Sequence, residues 1–181
     1  MIAILPHGSK VALLSTEPIP NNECCIEEIA WGLSNIYRFG GMGVTVAQHS
    51  WFTSYVGLGS SYAKLMHDIH ETAVTDLSTP VKEALNHLSG GKWLELESIN
   101  ATKFRRRYGL PAVLPSCVKE ADLLAARVEI TMFSPEVQRA YRSRDLEPLN
   151  HPEYQINHIW SPEESYKNFM ARYNEVGGGI P

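Results

Sequence analysis

Cysteine is scarce in this chain: Cys24, Cys25 and Cys117 are the only three among 181 residues. An odd count with two of them adjacent cannot build a disulfide framework, which excludes a stapled secreted scaffold and points to a reducing compartment. The three are read as packing residues. Long apolar runs are missing as well. None approaches the roughly 18–20 residues needed to span a bilayer, and the N-terminus lacks the charged-then-apolar pattern of a signal peptide. A cytoplasmic protein with no membrane partner is expected. There is also no basic arm: 16 Lys and Arg against 20 Asp and Glu leave a net charge of −4. That balance argues against duplex nucleic acid as a partner, while a small anionic substrate remains compatible if cations cluster locally. No internal repeat, low-complexity tract or linker interrupts the chain, so residues 1–181 are read as one domain.

What is present is helical periodicity. Residues 1–22 hold two short apolar runs around His7-Gly8-Ser9-Lys10, which predicts a small β-hairpin or extended arm. Apolar stripes then predict helices over about Cys25–Tyr37, Val46–Val56, a stretch from Ser60 or Ser61 to about Asp76, one that restarts at Ser78-Thr79-Pro80 and stops at Gly90-Gly91, Lys92–Tyr108, Val118–Met132 and Glu163–Val176. Thr45 and Ser60 or Ser61 are expected N-caps, and Pro80 suits a helix first turn. In the sixth helix Leu123, Leu124, Val128 and Ile130 are expected to be buried. Residues 144–161 show no period and are read as irregular, and a glycine tail ends the chain. The fold class is all-α, an irregular bundle of about seven helices with a minor N-terminal β element.

The chemistry concentrates in Lys64–Asp76. If that stretch is one helix, Glu71 is i+4 from His67 and i+3 from Asp68, so the three share a rim. His49, His67-Asp68 and Asp122 each set a metal-type ligand inside an apolar helix. An imidazole or carboxylate on a buried face needs a partner. One shared cation would serve all of them, since a borderline dication takes imidazole nitrogen and carboxylate oxygen together. Three separate ion pairs or hydrogen bonds would serve equally on spacing alone.

Four ordered segments carry a closer resemblance: LSNIYRFG over residues 33–40, VAQHS over 46–50, HDIHE over 67–71 and DLSTPVK over 76–82. Their order resembles the HD-domain phosphohydrolases, and within them the bacterial 5′-deoxynucleotidases and phage-encoded dATP triphosphohydrolases. The likeness covers about residues 9–132. It implies that His49, His67, Asp68 and Asp122 ligate a divalent metal, Co²⁺, Mn²⁺, Zn²⁺ or Fe²⁺, with Mg²⁺ a further candidate for a triphosphate substrate. Glu71 and Asp76 match the positions that orient or deprotonate the attacking water or hold a further catalytic cation, and Arg38 and Lys82 match phosphate-binding cations. Phe39 stands where the bacterial enzymes carry a tryptophan against the deoxyribose. Pro80 resembles a residue of the base pocket, and its place in a helix first turn is explanation enough without that role.

The implied activity is hydrolysis of dATP to deoxyadenosine and triphosphate. The alternatives are a 5′-deoxynucleotidase acting on deoxynucleoside monophosphates and a non-catalytic nucleotide-binding HD protein. A homo-oligomer, dimer or hexamer, is expected by analogy, and the cytoplasm would be that of a host cell if the protein is phage-encoded. His70 is read as a residue behind the ligands or at the surface, and His7, His87, His151 and His158 as solvated. The Lys103–Arg107 cluster is read first as a solvated helix face, with contact to phosphate oxygens as the alternative. The Trp93-Leu96-Ile99 stripe is read as core or subunit interface.

Overall fold

The computed structural model describes residues 1–142 and 146–177, so residues 144–145 of the irregular segment and residues 178–179 of the glycine tail lie outside the described residues. Within those limits the chain is all-α apart from one hairpin. Strands β1 (Ile2–Ile4) and β2 (Lys10–Ala12) pair antiparallel, with Ala3 opposite Val11. The hairpin turn is tied down by Glu28, whose buried carboxylate accepts from the His7 and Ser9 amides at 2.7 and 3.1 Å. Buried Lys103 donates to the Ala12 carbonyl at 2.6 Å and holds the other edge.

Nine α-helices follow among the described residues: α1 Ile26–Ser34, α2 Val46–Thr53, α3 Ser61–Leu65, α4 Glu71–Val74, α5 Thr79–Leu88, α6 Lys92–Arg107, α7 Ser116–Glu129, α8 Pro135–Arg142 and α9 Pro162–Val176. Helix α2 is the centre, packed by α1, α3, α7 and α9. Thr45 caps it, its hydroxyl accepting from the Gln48 amide at 3.0 Å. Seven of its eight residues are buried. A helix enclosed on every side must satisfy its own polar groups. Gln48 does so by donating to the His158 carbonyl at 2.8 Å and accepting from the Trp160 amide at 3.0 Å. Ile29, Leu33, Leu65, Ile69, Phe104 and Phe169 fill the main core around it.

Several expectations need correction. The stretch 60–76 is two short helices separated by a turn over residues 66–70, because the His67 ring bonds the Lys64 carbonyl and replaces a helical partner there. Leu123 is 49% exposed, since it flanks Asp122 on the cavity side of α7, and Leu124 is only half-buried. Cys25 is exposed and packs nothing, unlike buried Cys24. His151 is half-buried, its ring set against Tyr154. The Trp93-Leu96-Ile99 stripe is half-buried and forms no part of either core cluster. Helix α8 was not anticipated from the sequence.

Candidate metal centre and cavity

Two imidazoles are fixed by their inner nitrogens. His49 on α2 has Nδ1 2.6 Å from Glu129 Oε1 and in contact with the Arg38 guanidinium, and the other oxygen of Glu129 accepts from Arg38. His67 in the turn after α3 has Nδ1 2.7 Å from the Lys64 carbonyl. A carbonyl can only accept, so His67 Nδ1 carries the hydrogen and Nε2 presents a lone pair. Lys64 is itself immobilised: its buried ammonium donates to the Val56 and Gly57 carbonyls at 2.7 and 3.1 Å. The two rings stand edge to face at 5.2 Å between centroids.

Both Nε2 atoms face carboxylates. His67 Nε2 lies 2.9 Å from Asp68 Oδ2 and 4.0 Å from Asp122 Oδ1, and His49 Nε2 lies 3.2 Å from the same Asp122 oxygen. His67 Nε2 is buried with no hydrogen-bond partner. A lone pair aimed at a carboxylate is unfavourable unless a proton or a cation lies between. Ligand atoms of His49, His67 and Asp68 all fall within 4.8 Å of one another, a spacing that could hold a metal ion. Asp122 stands at the margin of this group, held by Lys119 at 2.7 Å.

Charge balance sets the protonation pattern. Burial and Arg38 oppose a charge on His49, yet Glu129 and Asp122 outweigh them and push its pKa up to about 9. Burial would raise both aspartates, but the imidazoles hold Asp68 and Asp122 well below the usual carboxylate range. Glu129 and Asp122 therefore favour a protonated His49 in the absence of a cation, and a metal would displace that proton on binding.

Beside this centre opens a cavity of about 1060 Å³, lined by Asp68, Glu71, Asp76 and Asp122 together with Arg38, Phe39, Pro80 and Lys82. Every site residue expected from the sequence is thus found at the cluster or on the cavity wall. Glu71 is 4% exposed, which rules out a surface acid. Burial, reinforced by Asp68 and Asp76, pushes its carboxyl well up from its ordinary value. Asp76 is raised in the same way against the opposing charges of Arg38 and Lys82. It follows Thr75, whose φ of 67° is costly for a β-branched residue and turns the chain sharply out of α4. Lys82 lies 3.6 Å from Glu71, 3.8 Å from Asp76 and 2.9 Å from Glu97. Phe39, itself at positive φ, packs edge-on to Phe133 and Tyr141 at 5.2 and 5.4 Å.

Sequence reasoning missed two acids. Glu129 was legible as a carboxylate set between Val128 and Ile130, two helical turns beyond Asp122 and so on the same face. Glu97 carried no such signal among the polar residues of α6. His70 is buried and lines the cavity, which overturns a surface position. Burial, aided by Arg105 and Lys82 against Asp68 and Glu97, pushes its pKa down to about 4, so its ring is neutral. The basic cluster divides: Lys103 serves the hairpin, Arg106 is exposed, Arg107 donates to the Asn21 carbonyl at 2.9 Å, and Arg105 lines the cavity.

Two curated proteins match most of the chain. The uncharacterized protein YfdR of Escherichia coli strain K12 is 37% identical over 173 residues, covering 88% of each chain. The chain belongs to the YfdR family. A second relative, the uncharacterized protein RCAP_rcc00048 of Rhodobacter capsulatus, is 33% identical over 139 residues, 67% of each chain. No family profile matches. Membership of the YfdR family fixes ancestry and overall fold, while the chemistry has to be argued from the cluster and its cavity. No helix among the described residues is long and apolar enough to cross a membrane.

Proposed function

We propose that this YfdR-family chain is an HD-type, metal-dependent deoxynucleotide phosphohydrolase that converts dATP to deoxyadenosine and triphosphate in the cytoplasm, as a homo-oligomer. The observation that carries the reading is the pair of pinned imidazoles, each held through Nδ1 with Nε2 turned toward Asp68 and Asp122, which open onto a cavity large enough for a nucleotide. The orphaned His67 Nε2 and the close donor set of His49, His67 and Asp68 fit a divalent cation, with Asp122, 3.2 Å from His49 Nε2, as the fourth ligand. An N₂O₂ set of this kind suits Co²⁺, Mn²⁺, Zn²⁺ or Fe²⁺. Once bound, such an ion supplies Lewis-acid polarisation of a phosphoryl oxygen and an acidified water.

The remaining work falls to the chain itself. Glu71, with its raised carboxyl, is suited to take the proton of the attacking water, and Asp76 beside it to orient that water. Arg38 and Lys82 bring positive charge to phosphate oxygens, and this charge is preorganised because both are braced by carboxylates. Phe39 offers an apolar face to the sugar, where a 2′-hydroxyl would lose its hydrogen bonds to water without replacement, so deoxyribose is favoured. Pro80 lines the same cavity and bounds the base.

The test is incubation of the purified protein with dATP or dAMP in Mn²⁺ or Co²⁺, with products resolved by chromatography. Deoxyadenosine and intact triphosphate from dATP are expected. Orthophosphate from dAMP with dATP left untouched would replace this reading by a 5′-deoxynucleotidase, and nucleotide binding without turnover by a binding protein.

A further inference from the structure

Three of the four cations that line the cavity already face carboxylates: Arg38 has Glu129 and Asp122, Lys82 has Glu71, Asp76 and Glu97, and Lys119 has Asp122. Arg105 is different. Among the described residues its guanidinium has no ion-pair partner; one Nη donates to the Ala112 carbonyl at 3.1 Å, and its Nε is enclosed with no acceptor. A partly desolvated guanidinium without a counter-charge is costly until an anion arrives. His70 adjoins it. This ring is 5% exposed, lines the same cavity and has a buried Nδ1 with no partner. Both orphaned groups line the one cavity, and Asp68 of the metal cluster acts electrostatically on each of them. They come from α6 and from the residue preceding α4, two elements in contact.

A carboxylate presents two oxygens on one carbon, whereas a polyphosphate chain presents oxygens at several positions and can engage both a planar guanidinium and an imidazole on the same wall. We propose that Arg105 and His70 form an anion subsite for the distal phosphates of a nucleoside triphosphate and so select triphosphates over monophosphates. The identity of the substrate rests on the phosphohydrolase reading, whereas the subsite itself can be read by binding alone.

The experiment is calorimetric titration of the full chain with magnesium tripolyphosphate and with orthophosphate, for wild type, Arg105→Gln, Arg105→Lys and His70→Asn, with melting curves for each. Arg105→Gln and His70→Asn are each expected to weaken tripolyphosphate binding about tenfold or more, as loss of a charge-assisted hydrogen bond does, with orthophosphate little changed. Arg105→Lys should lose less. In steady-state assays Arg105→Gln should raise KM for dATP by a similar factor with kcat nearly unchanged. Wild-type tripolyphosphate affinity in folded Arg105→Gln overturns the proposal; should that variant not fold, unchanged affinity in His70→Asn and Arg105→Lys does so. Tripolyphosphate loss in the variants, combined with a wild type that turns over no deoxynucleotide, overturns the phosphohydrolase reading and leaves the anion subsite standing.

Discussion

The cavity has two unlike sides. One is the α2, α7 and 66–70 side, where His49 and Glu129 are essentially inaccessible and the Nδ1 atoms of His49 and His67 each have a fixed partner. The other is the α5–α6 hairpin, where α5 has no buried residue and is tied to α6 by the partly exposed Lys82–Glu97 pair and by the Asn86 and Ser89 side chains. Interior packing and buried hydrogen bonds resist displacement, whereas a surface ion pair contributes roughly 0–1 kcal/mol. A cation site needs ligands fixed within a few tenths of an ångström, while a site for phosphates and a base can close around its ligand. Under the proposed function, the contrast places metal binding on the rigid side and substrate capture on the looser one.

The largest effect should come from Asp68→Ala. It removes a carboxylate from the cluster, so metal content by elemental analysis should vanish and kcat should fall by about a thousandfold or more. Retained metal with full turnover would break the assignment. Next is Glu129→Gln, which leaves shape intact but weakens the brace on the His49 ring. Metal affinity by calorimetry should drop about 10–100-fold, the usual cost of losing a carboxylate behind a ligating histidine. An unchanged affinity would mean that Glu129 serves Arg38 alone.

Glu71→Gln separates function from stability. Burial favours the protonated Glu71 carboxyl in the folded state, so the folded protein binds that proton more tightly than the unfolded chain. In metal-free protein the contribution is therefore most favourable below the ordinary value of 4.5 and is lost as pH rises above it. At neutral pH the glutamine variant should melt about 2–4 °C higher, the shift that ~1 kcal/mol gives a chain of this size, while losing most of its turnover. A lower melting temperature at pH 7 would contradict the assigned direction. The smallest effect is expected of Glu97→Gln, with a change in stability below ~1 kcal/mol by denaturant melting and a modest shift in KM. A collapse of stability there would show that the hairpin is as rigid as the ligand side.

Much of the rigid side was legible in the sequence because local signals and burial agree there: Thr45 caps α2 as its position suggested, and His49 inside an apolar helix demanded a partner that the fold supplies. The break over residues 66–70 was not legible, since no glycine or proline marks it and the contact of the His67 ring with the Lys64 carbonyl depends on which way the ring turns in the fold. Helix α8 did carry a signal in Ser134-Pro135-Glu136, a cap followed by a first-turn proline and acid, but the polar composition around it hid the period. Glu97, Arg105 and His70 acquire meaning only from what surrounds them in three dimensions. Their spacing on the chain is that of ordinary polar helix residues.

The most direct test of the account is hydrolysis of dATP in H₂¹⁸O with metal-loaded protein, followed by mass spectrometry of both products. One ¹⁸O atom in triphosphate and none in deoxyadenosine is the predicted result, because water is taken to attack the α-phosphorus. Label in deoxyadenosine, or labelled orthophosphate as the first product, would contradict it.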